Sequence, residues 1–577
     1  MNWLLRRGTC WTLAPAWLRC RCPSSSRRLY SLAHEVDTSK MEAAGRNAQI
    51  VKNLAGYYPS MSEPALRELC RGYKEVSIDE FNEKFLNRPS VLNHKDNPEW
   101  LFTINGRIKS IRFSGQKIVF IDLYSTNNGL KNNSKLQLIV NYSQINGSDK
   151  DEVQFQEHMG FLKKGDYIKV FGYPGFSQSR LKMLSLKCNR LPIILSASQL
   201  PLPSKLNDEA KIKSNRVIDY QLNGIQALLI RAHVIKLLRK FLDDKNFVEV
   251  ETPILSSKSN GAMAKPFITS SKDFDHLELR IAPELWLKRL VISGVQKVYE
   301  IGKVFRNEGI DSTHNAEFST LEFYETFMSM DDLIARTEEL FKFLITNLQK
   351  FFQDTNLPVP KTFNELHYAL SSNDWKFKKV EFLPTLNEEL GVDLMAPELD
   401  INSPKEILRI LPKDVKDKYF SSAEGLEQLS SLQILNKLSD VFLEQRHCHS
   451  ILPTIIYHQP TILSPLAKTD SRNSRITKRF EVFINGKEYI NAYEEENCPQ
   501  LQLEKFLQQK QINEMTGNKI ETLSPVIDHQ YIESMKFGMP PTGGFGLGID
   551  RLCMLFCDKK RVEEVLPFGC VDDVNRQ

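Results

Sequence analysis

Residues Val298–Glu325, VYEIGKVFRNEGIDSTHNAEFSTLEFYE, set the architecture. Val298–Asn307 and Phe318–Glu325 read as two strands, because apolar and polar residues alternate in each and the intervening Glu308–Glu317 is rich in polar and turn-forming residues. Side chains of a strand alternate between its faces. Glu300, Arg306 and Glu308 therefore share one face of the first strand, and Phe318, Glu322 and Tyr324 share one face of the second. Unpaired charges buried in a sheet core each cost roughly several kcal/mol. A face with this composition is expected to meet a charged ligand.

A second strand pair lies downstream. Arg479-Phe480-Glu481-Val482-Phe483-Ile484 runs into Asn485-Gly486 and then Lys487–Glu495. Asn-Gly between alternating runs is the strongest short hairpin signal. A two-residue turn pairs Ile484 with Lys487 and Phe483 with Glu488, which puts Glu481 and Glu488 on one face. Two carboxylates with no cation evident beside them suit Mg²⁺ bound together with substrate phosphates. Asn491, Tyr493 and Glu495 fall on the opposite face, so a single pocket needs a bulge or break between 488 and 491. Farther on, Gly543-Gly544-Phe545-Gly546-Leu547-Gly548-Ile549-Asp550-Arg551 precedes the apolar run Leu552–Phe556. Its glycines allow a ligand close to the backbone, and an Arg at a helix start can bind phosphate. The run is neither G-x-G-x-x-G nor a Walker A sequence, which excludes the dinucleotide and P-loop readings.

Upstream, Ile225, Leu228, Leu229, Ala232, Ile235, Leu238, Phe241 and Leu242 recur at helical spacing, and Phe247–Thr252 alternates as a strand up to Pro253. Between Trp100 and about Leu202 the pattern is one of short strands separated by Asn/Gly/Ser turns: Leu101–Ile111, Lys117–Tyr124, Lys135–Tyr142 and Tyr167–Gly172. Five or so strands in about 100 residues suit a small barrel, for which an OB-fold is one candidate. Residues 31–95 read as charged helices, Leu200–Pro203 as a linker, and 355–445 as a polar helical insertion.

A chain of 577 residues calls for two to four domains. No run approaches the roughly 18 apolar residues of a membrane span. Residues 1–30 hold six arginines (Arg6, Arg7, Arg19, Arg21, Arg27 and Arg28) and no acid, against a net charge of +5 for the whole chain, so the body is close to neutral. Nucleic-acid affinity must then come from a local basic face. The acid-free, Arg- and Ser-bearing N-terminus reads as a mitochondrial transit peptide with cleavage after Tyr30. The ten cysteines show no zinc-ligand spacing and read as reduced structural thiols.

The three site segments, in this order, resemble the motifs of class II aminoacyl-tRNA synthetases over about residues 100–350 and 450–577. Phe305–Asp311, Thr313-His314-Asn315, Glu317-Phe318 and Leu321–Tyr324, with Arg280–Leu285 and Ser464–Ala467, are similar to the lysine-specific members. The resemblance implies an α+β protein in which an N-terminal OB-fold β-barrel (98–200) binds the anticodon. It follows a transit peptide (1–30) and a helical extension (31–97). A linker (201–215) leads to a class II catalytic domain (216–577) built on an antiparallel sheet flanked by helices.

It also implies a mitochondrial-matrix enzyme, a homodimer through the helix and strand ending at Pro253, that joins L-lysine to tRNA(Lys) with ATP and Mg²⁺. Arg306 and Arg551 become the catalytic residues, and Arg306, Glu308, His314, Asn315, Phe318, Glu481, Glu488 and Arg551 hold ATP, with adenine between Phe318 and Arg551. Glu481 and Glu488 hold the metal. Gly261, Glu284, Glu322, Tyr324, Asn491, Tyr493, Glu495 and Gly548 hold lysine, and Arg112, Phe120 and Gln137 read the anticodon. Carboxylates at 322 and 495 disfavour an aspartate or asparagine ligase, where Arg or Lys is expected. The intact Arg306, Glu481, Glu488 and Arg551 disfavour an inactive tRNA-binding paralogue. One departure stands out: where relatives carry a Glu before the last barrel strand, this chain has Ser179-Arg180-Leu181-Lys182.

Overall fold

The computed structural model describes residues 38–86, 97–125, 134–145, 151–178, 182–203, 205–257, 264–420, 429–515, 527–570 and 573. The expected transit peptide, Gly261 and Ser179–Leu181 lie outside them. The chain divides into two compact units, one ending at Leu202 and one running from Pro203.

The first unit carries β1 (Lys74–Glu75), β2 (Phe102–Ser114), β3 (Ile118–Ser125), β4 (Ser134–Asn141), β5 (Tyr167–Phe176), β6 (Leu184–Cys188) and β7 (Ile193–Ser196). Pairing runs β2-β3-β4-β6-β5, and β5 pairs back with β2, which closes a five-stranded barrel of the expected OB-like kind. Closure follows from period-2 patterning. Ile104, Ile108, Val119, Ile121, Leu123, Leu136, Leu138, Val140, Ile168 and Val170 all point inward and are excluded from solvent. The N-terminal helices share this core: Ile50, Ile78, Phe81 and Phe85 are buried with the barrel residues, and Arg46 pairs with the buried Asp166 at 2.7 Å.

The second unit holds β8 (Val248–Glu249), β9 (Leu255–Ser256), β10 (Ile268–Thr269), β11 (Leu277–Leu279), β12 (Lys297–Phe305), β13 (Glu317–Thr326), β14 (Lys378–Glu381), β15 (Thr454–Tyr457), β16 (Arg479–Ile484), β17 (Lys487–Glu494) and β18 (Thr542–Gly548). Eight of these form one sheet in the order β14-β15-β16-β17-β18-β13-β12-β8, antiparallel except where β8 and β14 join its edges. Leu321, Phe323, Phe480, Val482, Ile490, Ala492, Phe545 and Leu547 face helices Gln226–Asp243, Met330–Thr355 and Ile549–Cys557 in a common core. Phe323 stacks on Phe545 at 4.6 Å.

Two expectations change here. The strand expected over Phe247–Thr252 is only Val248–Glu249, because the chain turns toward Pro253 after two ladder pairs. The segment 355–445 is not a polar appendage. It supplies β14 to the sheet edge, and Phe382, Leu383, Leu386, Ile407, Leu435 and Phe442 build a second core. Among the described residues no helix is long and apolar enough to cross a membrane.

Candidate active site

The sheet face opposite the helix-covered core carries the polar residues, and ladder register sets them in rows. Glu322 pairs with Gly546, Gly546 with Asn491, and Asn491 with Glu481; one step along, Tyr324, Gly544, Tyr493 and Arg479 form a parallel row. The central strand β18 contributes only glycines to these rows, so the floor sinks into a cavity of about 510 Å³. A side chain at Gly546 would stand in that space, and a Cβ at Gly544 would collide with Glu495 Oε1 and the Tyr324 ring. Leu463–Ala467 line the cavity as well.

The hairpin turn is as expected, with Ile484 opposite Lys487 and Phe483 opposite Glu488. The bulge required between 488 and 491 is present. Val482 pairs with Ile490 and Phe483 with Glu488, which leaves Tyr489 as the extra residue. It turns Asn491 and Tyr493 onto the face of Glu481, so both sets line one cavity.

At one end of the cavity, Tyr324 Oη donates to Glu322 Oε2 at 3.2 Å and Tyr493 Oη donates to Glu284 Oε1 at 2.7 Å. Burial, with the Glu284 charge nearby, pushes Glu322 up to about 8. At the other end, the Arg306 guanidinium stands 5.2 Å from the centre of the Phe318 ring. Arg551 donates to the Glu488 carbonyl at 2.8 Å and to His314 Nε2 at 2.6 Å. That contact leaves the His314 proton on Nδ1, which meets Asp311 at 2.8 Å. Phe318 and Arg551 are held by their chain neighbours: Arg231 pairs with Asp550 at 2.6 Å, and Asp550 accepts the Ser319 backbone N–H at 3.0 Å. Burial pushes Glu481 up to about 7, reinforced by Glu488 and Glu444 and opposed by Arg479.

Residues 208–571 match the family model for tRNA synthetases class II (D, K and N). The chain belongs to the class II tRNA synthetases. This synthetase is 78% identical over 577 residues, all of both chains, to the mitochondrial lysine–tRNA ligase of Saccharomyces cerevisiae. It is 37% identical to the mitochondrial lysine–tRNA ligase of Schizosaccharomyces pombe, covering 81% of this chain and 83% of that one. It is 36% identical to the lysine–tRNA ligase of Malacoplasma penetrans, covering 71% of this chain and 79% of that one.

Most of the expected site residues converge on the synthetase's cavity. Glu284, Arg306, Glu308, His314, Asn315, Phe318, Glu322, Tyr324, Glu481, Glu488, Asn491, Tyr493, Gly548 and Arg551 all line it. Three expectations need correction. Glu495 is set back from the open cavity: it is wholly buried beside Gly544 and Tyr324, on the same face of the sheet, and ion-paired with Lys288. Glu481 does have a cation beside it, Arg479 at 2.6 Å, since residues i and i+2 of a strand share a face. Glu300 pairs with the buried Arg280 at 2.5 Å and serves structure, although it lies directly across the ladder from Glu322.

Two residues of the site escaped sequence reasoning. Arg479 spans it, bonding Asn491 Oδ1 at 3.0 Å and the Leu463 carbonyl at 2.6 Å, and its parity with Glu481 was the available signal. Lys288 is the other, and a lysine four residues after Glu284 reads as an ordinary helix pair. In the barrel unit, Arg112 lies opposite Phe120, and Asp122, the next outward residue, lies opposite Gln137. Phe120 is half-buried outside the barrel core, Arg112 bonds Asp122 at 3.1 Å, and Gln137 accepts from Ser185 at 3.0 Å.

Proposed function

We propose that this synthetase is a mitochondrial lysine–tRNA ligase, which activates L-lysine with ATP to lysyl-adenylate and transfers the lysyl group to the 3′ end of tRNA(Lys). The observation that carries this reading is the 78% identity over the full length of a mitochondrial lysine–tRNA ligase. The carboxylates at the amino-acid end agree with it, and the acid-free, arginine-bearing N-terminus agrees with a matrix enzyme.

Glu284 takes the α-ammonium, and Glu322 with Tyr324 and Asn491 takes the side-chain ammonium. Arg306 holds the α-phosphate while Phe318 and Arg551 hold the adenine, and the lysine carboxylate attacks the α-phosphorus in line, expelling pyrophosphate. Positioning and charge neutralisation supply the rate. The donor set suits Mg²⁺: Glu481 and Glu488 would supply oxygen ligands, and Glu488 adds to the cost of ionising the buried Glu481, which a divalent cation would relieve. When bound, Mg²⁺ neutralises the triphosphate.

ATP–pyrophosphate exchange across the amino acids, followed by charging of mitochondrial and cytosolic tRNA, tests the reading. Lysine alone is expected to support exchange. Exchange driven by aspartate or asparagine would move the specificity, and no exchange would leave only a binding protein.

Ionisation of Glu322 gives a pH signature. A carboxyl raised to about 8 must lose its proton to hold an ammonium, so KM for lysine is expected to fall as pH rises toward 8, by at most about tenfold per unit. In the free enzyme the sign is reversed for stability: Glu322 favours folding at pH below its ordinary value, and that contribution is lost as pH rises through about 8. The thermal stabilisation conferred by lysine should therefore grow over the same interval. A flat profile between about pH 6 and 8.5 would contradict it.

Arg112, Phe120 and Gln137 on one outer barrel face form the anticodon platform, with residues 98–200 as its domain and 216–577 as the catalytic domain. Stacking on an aromatic ring is worth about 1–3 kcal/mol per base. Phe120→Ala is expected to raise KM for tRNA roughly 10- to 100-fold and to leave exchange unchanged. Steady-state charging against exchange separates the two. For the homodimer, Val248, Ile254, Leu255, Ile268 and Phe274 are exposed apolar side chains on the short strands and turns after the Gln226–Asp243 helix.

A further inference from the structure

We propose that Lys288 is a specificity-determining positioning residue, whose buried ammonium holds Glu284 and Glu495 in place at the amino-acid pocket. The inference rests on the lysine reading above and deepens it.

The ammonium of Lys288 is wholly excluded from solvent. A buried lysine is rare unless paired, and this one has two carboxylates: Glu284 at 2.5 Å, and Glu495, which is itself inaccessible. The Tyr493 ring lies 5.5 Å from the ammonium and the Tyr324 ring 6.0 Å from it; both residues line the cavity, and each has its hydroxyl on one of its carboxylates. Tyr531 closes the site from the helix His529–Met535. Of the other cations nearby, Lys505 is committed to Glu496 at 2.9 Å and to the Ala467 carbonyl at 2.6 Å, and Arg479 to Glu481 at 2.6 Å. Lys288 is therefore the cation that faces Glu284 and Glu495 together. Burial acts to lower its pKa, but attraction to Glu284 and Glu495 outweighs that and holds it above the usual lysine range.

A merely structural position gains nothing from a charge. A buried ion pair is replaced by apolar residues at little loss, whereas removing one partner leaves the other unpaired. Three carboxylates in one dry pocket do not all stay ionised on their own. Lys288 is the cation that opposes the effect of burial on Glu495 and pairs with Glu284 at the same time. The two ammonium subsites are also tied mechanically, since one Nζ touches the carboxylate of the α-ammonium subsite and the carboxylate beside the side-chain subsite.

The test is Lys288→Met in the full-length enzyme, read by lysine-dependent exchange. KM for lysine is expected to rise on the order of 100-fold, with KM for ATP within about twofold of wild type. The rise of kcat/KM for lysine with pH should shift to higher pH, because Glu495 loses the Lys288 charge that opposes the effect of burial on it. Wild-type lysine KM and pH profile, or an equal rise in both substrate KM values, would overturn the proposal. If Lys288→Met does not fold, Lys288→Met/Glu495→Gln is compared with Glu495→Gln. The double variant must have the higher lysine KM, through Glu284, and equal values would overturn the proposal. Failure of the wild type to activate lysine would instead overturn the functional reading, and it is seen before any variant is made.

Discussion

Lysine-dependent ATP–pyrophosphate exchange is expected to be lost in Glu322→Gln, while ATP binding is retained. Glu322 sits on the cavity floor across the ladder from Gly546, and its one hydrogen bond given by a side chain is from Tyr324 at 3.2 Å. Unlike Glu284 and Glu495, it has no ion pair among the described residues, and the Arg306 charge lowers its pKa from nearby. Its charge is left for the ligand. Gln keeps the volume and the Tyr324 contact, so folding should survive. A buried charge pair broken on one side costs roughly 2–5 kcal/mol, which puts kcat/KM for lysine down by on the order of 10²–10³-fold or more. ATP affinity, measured by fluorescence or calorimetry, should remain near wild type. Unchanged exchange would remove the electrostatic basis of lysine selection, and equal loss of ATP binding would mean a collapsed site.

Arg551→Ala should produce the complementary defect. Its guanidinium is aimed by two bonds, to the Glu488 carbonyl and to His314, and its backbone is anchored by the buried Arg231–Asp550 pair. Removing a preorganised charge-stabilising donor typically costs about 10²–10³ in kcat. A loss of that size in exchange is expected, with lysine binding by calorimetry little changed. Arg551→Lys should rescue little, because a point charge cannot make two bonds in a fixed plane or stack on adenine. Near-complete rescue by lysine would show that only charge is needed at this position.

Much of this site was legible before the fold. The alternation in Val298–Glu325, the Asn485-Gly486 turn and the glycines of β18 each report a local property, and local geometry then dictates which residues share a face. The demand for a bulge between Glu488 and Asn491 came from parity alone, and Tyr489 supplies it. Four of the five barrel strands were equally readable, since inward residues alternate along each, but the short β6 was not delimited. The segment 355–445 was misread because its apolar residues are spread over short helices, and their common core appears only when those helices pack.

Glu494, Glu495 and Glu496 mark the boundary most clearly. The sequence alone determined the strand period, the turn, the class of motif, and an acidic run ending β17. Tertiary structure decided the use of each carboxylate: Glu494 accepts from the Met330 backbone, Glu495 meets Lys288, and Glu496 is held between Lys468 and Lys505. Those partners come from three different helices and a loop. A charge is neutralised by whatever cation packing brings within a few ångströms, and that distance is set by the folded core and not by separation along the chain.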